Sequence, residues 1–194
     1  MILPIVKYGH PVLRQKGARI EKMTPAIRTL IADMFETMYD AAGVGLAAQQ
    51  VGQALQLTVI DVRPVKDRPS TLEIGGKPAD AHSIMPLALI NPQIQPCGEP
   101  ATGPEGCLSF PEIYTDITRP EFVEVVALNA EGEPVSFKAG GLLSRAIQHE
   151  IDHLNGILFI DRMTAENKRP LKTELEALQE ATRLELKKAG AQKN

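Results

Sequence analysis

The chain contains no tryptophan, and aromatic residues make up only 4% of it. Stacking platforms for nucleic-acid bases are therefore scarce. Charge of either sign is not in excess: the formal net charge is −3 and the pI about 5.8. That argues against a broad nucleic-acid-binding surface and against specific DNA as a partner. No apolar run approaches the ~18 residues of a membrane span, so no membrane partner is expected. The first residues, MILPIVKYGHP, lack a charged leader, a long apolar core and a small-residue cleavage site. The compartment expected is the cytoplasm. Only two cysteines occur, Cys97 and Cys107, and a reducing compartment disfavours pairing them. Histidine is also rare, with four in the chain.

What is present is one domain's worth of core. The chain has 194 residues, 43% of them hydrophobic and 23% charged. Those fractions are ordinary for a soluble globular protein. Half of the histidines fall in one pattern, His149-Glu150-Ile151-Asp152-His153, within the stretch Gly141 to Gly156. Around it, Leu142, Leu143, Ala146, Ile147, Ile151 and Leu154 follow helical spacing, and Gly156 is placed to end the helix in a left-handed conformation. Residues four apart on a helix share a face, so both imidazoles aim at one point. Glu150 sits beside that point without needing to bind there. Two imidazoles and an adjacent base are what a metal hydrolase takes from a helix. Burying two histidines without partners is costly, which also favours a metal.

The remaining elements read in order. Residues 1–23 form an extended arm with a turn at His10-Pro11, His10 capping or exposed. Thr24-Pro25 opens a helix that Ile27, Leu30, Ile31, Met34, Phe35 and Met38 continue to about Ala42, with Gly43 as its stop. Gly43–Gly52, GVGLAAQQVG, is backbone that another group can approach closely, with Gln49 and Gln50 as its side-chain hydrogen-bonding groups. Strands are expected at Leu57–Val62, Leu87–Asn91, Glu121–Leu128 and Pro134–Lys138, the last two joined by a turn. Residues 63–86 form a surface excursion holding a hairpin at Gly75-Gly76, with His82 solvated. Residues 92–104 are Pro- and Gly-rich and read as a break. Ile157–Ile160 is a short strand or packed coil, and 164–169 a link. A C-terminal helix over 170–190 puts Leu171, Leu175 and Leu178 on one face, its last turns from Leu186 to Asn194 fraying.

The two histidines leave a metal short of a ligand. Glu174 lies 21 residues beyond His153, a separation some metalloproteases use, but it sits among Lys172, Glu176 and Glu180 on an exposed-looking face. Cys107 lies in an apolar, glycine-flanked setting, and a thiolate is a good zinc or iron ligand. A small buried hydrophobe is the alternative fate of such a cysteine. On the residues alone Cys107 is preferred, with Glu174 left open.

Three stretches together are specific: GVGLAAQQVG, EGCLSFP (Glu105–Pro111) and HEIDHLNGILFIDR (His149–Arg162). In this order they resemble the three signature stretches of the peptide deformylases. The resemblance implies an α+β fold in a single deformylase-like domain over residues 1–194. Mixed or antiparallel β-sheets would surround a central metal-binding helix, with a C-terminal helix after it. It implies Cys107, His149 and His153 as metal ligands and Glu150 as the general acid/base. Gln50 and the backbone N–H of Leu108 would stabilise an oxyanion. Gly45 would bond the substrate backbone, Val44 and Leu142 would line a methionine pocket, and Glu105 and Arg119 would pair behind the ligand loop. It implies one divalent ion per chain, Fe2+ foremost, with Zn2+, Ni2+ or Co2+ as substitutes. The implied activity is removal of the formyl group from the N-terminal formylmethionine of new polypeptides, releasing formate. N-formylmethionyl peptides are then the partners, with the ribosome a further one through the C-terminal helix. Gln49 and Tyr114 depart from the family's usual Thr and Arg. A metallopeptidase using Glu174 and a non-catalytic metal binder are the competing classes.

Overall fold

A computed structural model describes residues 1–191 of the chain; the final turn of the expected fraying segment, 192–194, lies outside them. Helix α1 spans Pro25–Asp40, α2 Gly141–Leu154, α3 Ala165–Lys168 and α4 Lys172–Ala191. The strands are β1 Gly45–Ala47, β2 Leu57–Ile60, β3 Ser70–Ile74, β4 Lys77–Ala79, β5 Leu87–Cys107, β6 Phe110–Leu128 and β7 Pro134–Gly140. They form one seven-stranded sheet in the order β1-β2-β5-β6-β7-β3-β4, and each neighbouring pair is antiparallel. The fold class is α+β, as expected.

α2 lies against this sheet. Leu142, Leu143, Ala146, Ile147, Ile151 and Leu154 pack with Ile60, Leu89, Val123, Val125 and Ala139. Burying each of the larger side chains is worth about 1.5–3 kcal/mol, which is what holds so polar a motif inside. α1 covers β1 and β2 through Ile31, Met34 and Met38. Thr24 caps α1 by accepting from the Ile27 N–H at 3.3 Å. α4 closes a third cluster, Leu175 meeting Phe110, Ile117 and Phe159, with Leu171 and Leu178 packed beside it.

The structure corrects several local expectations. Residues 92–104 are not a break: β5 runs through them without interruption. β2 pairs with β5 only as far as Ile90, so the later part of β5 is hydrogen-bonded to β6 alone. Proline is tolerated on such a one-sided strand because its missing N–H has no partner to lose. The residue that ends α1 in the left-handed region is Ala42, φ 52°, not Gly43. Gly43 is small for another reason: a Cβ there would come 2.8 Å from Leu108 Cδ1. Ile157–Ile160 is neither strand nor simple coil but leads into a 3-10 turn, Phe159–Asp161, where Asp161 accepts from the Leu158 N–H at 2.9 Å. The link at 164–169 contains α3. The strand expected from Glu121 begins at Phe110, and the expected surface excursion 63–86 adds β3 to the main sheet and Leu72, Ala81 and Met85 to its core. As expected, β3 and β4 make the hairpin around Gly75-Gly76, Gly156 takes φ 73°, and His10 caps the 3-10 turn Pro11–Arg14.

Candidate metal centre

The long β5–β6 hairpin turns at Leu108-Ser109, where Cys107 pairs with Phe110. That turn brings Cys107 to the buried α2. There the His149 and His153 rings lie edge to face one turn apart, centroids 5.1 Å from each other. Cys107 Sγ is 3.3 Å from His153 Nε2. One donor atom from each of Cys107, His149 and His153 falls within 4.8 Å of the others. A sulfur and two imidazole nitrogens so placed fit a single divalent ion of the zinc or iron type.

The orientation of His149 fits the same purpose. Its Nδ1 lies 3.0 Å from Glu105 Oε2, so Nδ1–H donates there and Nε2 is left for the cluster. Burial opposes a proton on His149, yet Cys107 and Glu105 outweigh it and hold its pKa well above the ordinary imidazole value. The anionic surroundings that favour a proton on this ring favour a metal cation as well. His153 goes the other way: burial, then the charge of His149, push it well below the ordinary value, towards the neutral, ligating form.

Behind the cluster lies a buried ion network. Arg119 makes two bonds to Glu105, at 2.6 and 3.0 Å, and one to Asp152 at 2.9 Å. Burial works against the Glu105 carboxylate, but His149 and Arg119 hold its pKa far below the usual carboxylate range. The Glu105–Arg119 pair is the one the family resemblance implied. Arg145, bonded to Glu105 at 2.9 Å, and Arg162, bonded to Asp152 at 2.7 Å, were not implied by it. Their signal was spacing: Arg145 stands one turn before His149, and Asp152 lies inside the histidine motif itself. Breaking one partner of such a buried pair typically costs about 3–5 kcal/mol.

Glu150 is 4% exposed, and its Oε2 has no hydrogen-bond partner in the protein. Burial pushes its pKa up to about 7. The backbone of β1 passes so close that a Cβ at Gly45 would overlap the Glu150 carboxyl, so a side chain at 45 would have to displace it. Gln50 is held by the Ala47 N–H, which donates to its Oε1 at 2.8 Å. Its NH2 end therefore faces Cys107 Sγ at 3.5 Å and Ser109 Oγ at 3.3 Å. Gln49 reaches away instead, donating to the Gln15 carbonyl at 3.4 Å.

A cavity of about 520 Å3 opens onto these groups. Val44, Gly45, Gln50, Cys107, Leu108, Leu142, His149 and Glu150 all line it, and His153 lies behind, 1% exposed. The exposed Tyr114 stands at its wall, as do Lys7, Arg68 and Arg145, which the sequence did not single out. Glu174 is exposed on α4, outside the cluster of potential ligands.

With the three stretches converging on one cavity, similarity to known proteins becomes decisive. The family model for polypeptide deformylase matches residues 2–169. The chain belongs to the polypeptide deformylase family. A peptide deformylase of Methylacidiphilum infernorum is 51% identical over 178 residues, covering 92% of this chain and 93% of the relative. Among solved structures, peptide deformylase 1B of Arabidopsis thaliana aligns with a TM-score of 0.80 at 36% identity, covering 94% of this chain and 93% of that one. A peptide deformylase from Synechococcus elongatus, crystallised with actinonin, aligns with a TM-score of 0.73 at 39% identity, covering 93% and 85%. As in these relatives, the fold couples an antiparallel sheet to helices, and no helix among the described residues is long and apolar enough to cross a membrane.

Proposed function

We propose that this chain hydrolyses the formyl group from the N-terminal formylmethionine of newly made polypeptides, yielding formate and a free α-amine. The observation that carries this reading is one cavity that opens onto Cys107 and His149 of a Cys–His–His donor set, beside a buried carboxyl whose pKa is raised to about 7. Cys107, His149 and His153 would hold the divalent ion. In such a set the ion makes water nucleophilic near neutral pH and polarises a carbonyl. The family resemblance favours Fe2+ in the cell, whereas affinity alone ranks Zn2+ above it and admits Co2+ and Ni2+.

The chain's own groups divide the remaining work. Glu150 takes the proton of the attacking water and delivers it to the departing amine, which a group with a pKa near the working pH does well. Gln50 Nε2 and the Leu108 N–H meet the negative charge that develops on the formyl oxygen. β1 is paired on one side only, so Gly45 can offer backbone groups to an extended peptide. Val44 and Leu142 give the methionine side chain an apolar wall. The cytoplasm is the compartment this reading favours. The outer face of α4, with Lys172, Glu176 and Glu180 exposed, is open to a large partner, and the ribosome is the one the resemblance favours.

The direct test compares a formyl-Met peptide with its unformylated counterpart on metal-loaded protein. Formate release from the first, with the second left intact, is the expected result. Cleavage of the unformylated peptide bond would move the assignment to a metallopeptidase. In the same assay Gln50→Ala is expected to lower kcat by roughly 10²–10³, as loss of an oxyanion donor does. A change confined to KM would make Gln50 a binding group instead.

A further inference from the structure

The two proposed oxyanion donors belong to different segments. Gln50 lies in the 3-10 turn Ala48–Val51, and Leu108 lies in the turn between β5 and β6. Their direct contacts are long ones: Gln50 Nε2 is 3.5 Å from Cys107 Sγ and 3.3 Å from Ser109 Oγ. Shorter bonds come from a third segment. The Val6 N–H donates to the Gln50 carbonyl at 2.9 Å, and the Tyr8 N–H donates to the Ser109 carbonyl at 2.9 Å. Between them, Lys7 Nζ donates to the Leu108 carbonyl at 2.9 Å. The Tyr8 ring stacks on Phe110, centroids 4.8 Å apart, and locks the strap to the hairpin. Three consecutive residues of the N-terminal arm thus hold the carbonyls of Gln50, Leu108 and Ser109.

Lys7 differs from its two neighbours because it acts through its side chain. Lys7 is half-buried and lines the reaction cavity. Among the described residues no carboxylate lies within ion-pair distance of it, and the Leu108 carbonyl is its hydrogen-bond partner. A charged donor on a carbonyl makes a stronger tie than a neutral one. Electrostatic stabilisation of an oxyanion depends on donors fixed before charge develops, and small displacements forfeit much of it. In this turn Leu108 packs on the α1–β1 cluster and Ser109 is fully buried, and the Lys7 ammonium adds a charged hold on the Leu108 carbonyl itself.

We propose that Lys7 is a positioning residue for the oxyanion site: by holding the Leu108 carbonyl, it sets the turn that carries the Leu108 N–H against Gln50. The inference rests on the deformylase reading above. Lys7 is neither a ligand nor a proton carrier, so its loss touches turnover and leaves metal and substrate binding in place.

The test uses the full, metal-loaded chain with Lys7→Met, which keeps most of the stem, and Lys7→Arg, which can still donate to a single carbonyl. kcat and KM on a formyl-Met peptide, bound metal and Tm are measured for each. The expected result for Lys7→Met is a kcat lowered about tenfold, less than the 10²–10³ of a removed donor, with KM and metal content held. Lys7→Arg is expected to recover most of that loss. An unchanged kcat in Lys7→Met would overturn the inference. So would a fall in kcat that follows loss of metal, or a Lys7→Arg variant that restores Tm but not kcat. Wild-type protein that releases no formate would overturn the functional reading itself, and this inference with it.

Discussion

Replacing Glu150 by glutamine is expected to leave a folded, metal-loaded protein whose turnover falls by roughly 10²–10⁴, the span for a lost general acid/base. The shape of the side chain is kept, so the close approach of β1 at Gly45 is undisturbed. What goes is the capacity to accept a proton. Wild-type Glu150 combines near-complete burial, an oxygen without a protein partner and a pKa of about 7, three properties that serve proton transfer and do nothing for stability. Glutamine buries an unpartnered amide where the wild type buries an unpartnered carboxyl, so the variant is expected to melt close to the wild type. Steady-state kinetics with metal analysis and a thermal melt on one preparation decide the matter. Near wild-type turnover would remove Glu150 from the mechanism.

The second large effect concerns the ligands. Cys107→Ser is expected to strip most of the metal, because a site with three protein donors loses one of them. The loss of affinity is expected to exceed the ~10–100-fold that removing a supporting partner costs. Serine oxygen is a poor substitute for sulfur toward zinc- or iron-type ions. Glu174→Gln serves as the contrast. Glu174 is exposed on α4, and neither metal content nor activity is expected to change. Metal analysis of the two variants after identical purification is sufficient. Metal lost in Glu174→Gln and kept in Cys107→Ser would reverse the ligand assignment and with it the deformylase chemistry.

Cys107 shows where reading residues in order stops. Its glycine-flanked, apolar setting favoured it, but Glu174 at a plausible separation stayed open, and only the family resemblance decided between them. The hairpin supports Cys107, carrying a sulfur 46 positions away in sequence to 3.3 Å from His153 Nε2. The prolines of β5 illustrate the same limit from the other side. Pro92, Pro96, Pro100 and Pro104 read as a break because a proline costs a strand its ladder bond. Whether that bond was ever available depends on which strand lies alongside, and β2 ends before they begin. Arg145 and Arg162 belong here too. A charged residue on a helix or in a loop reads as a solvated one until its partner is known.

By itself the sequence determined the features that act over a few residues. It placed two histidines on one helix face with a carboxylate between them. It supplied the Thr24 cap, the left-handed glycine at 156, the hairpin at Gly75-Gly76 and the bare backbone at Gly45. All follow from helix pitch, backbone sterics and turn chemistry, which need no distant partner. Only the tertiary structure brought Cys107 within reach of both histidines, buried Glu150 enough to raise its pKa to about 7, and anchored a shared arginine network on Glu105 and Asp152. Only it laid residues 6–8 across Gln50 and Leu108. Burial and charge pairing are properties of the closed chain. They arise when the sheet folds over α2 and excludes water, and the same residues in an open chain would titrate and pair as ordinary surface groups.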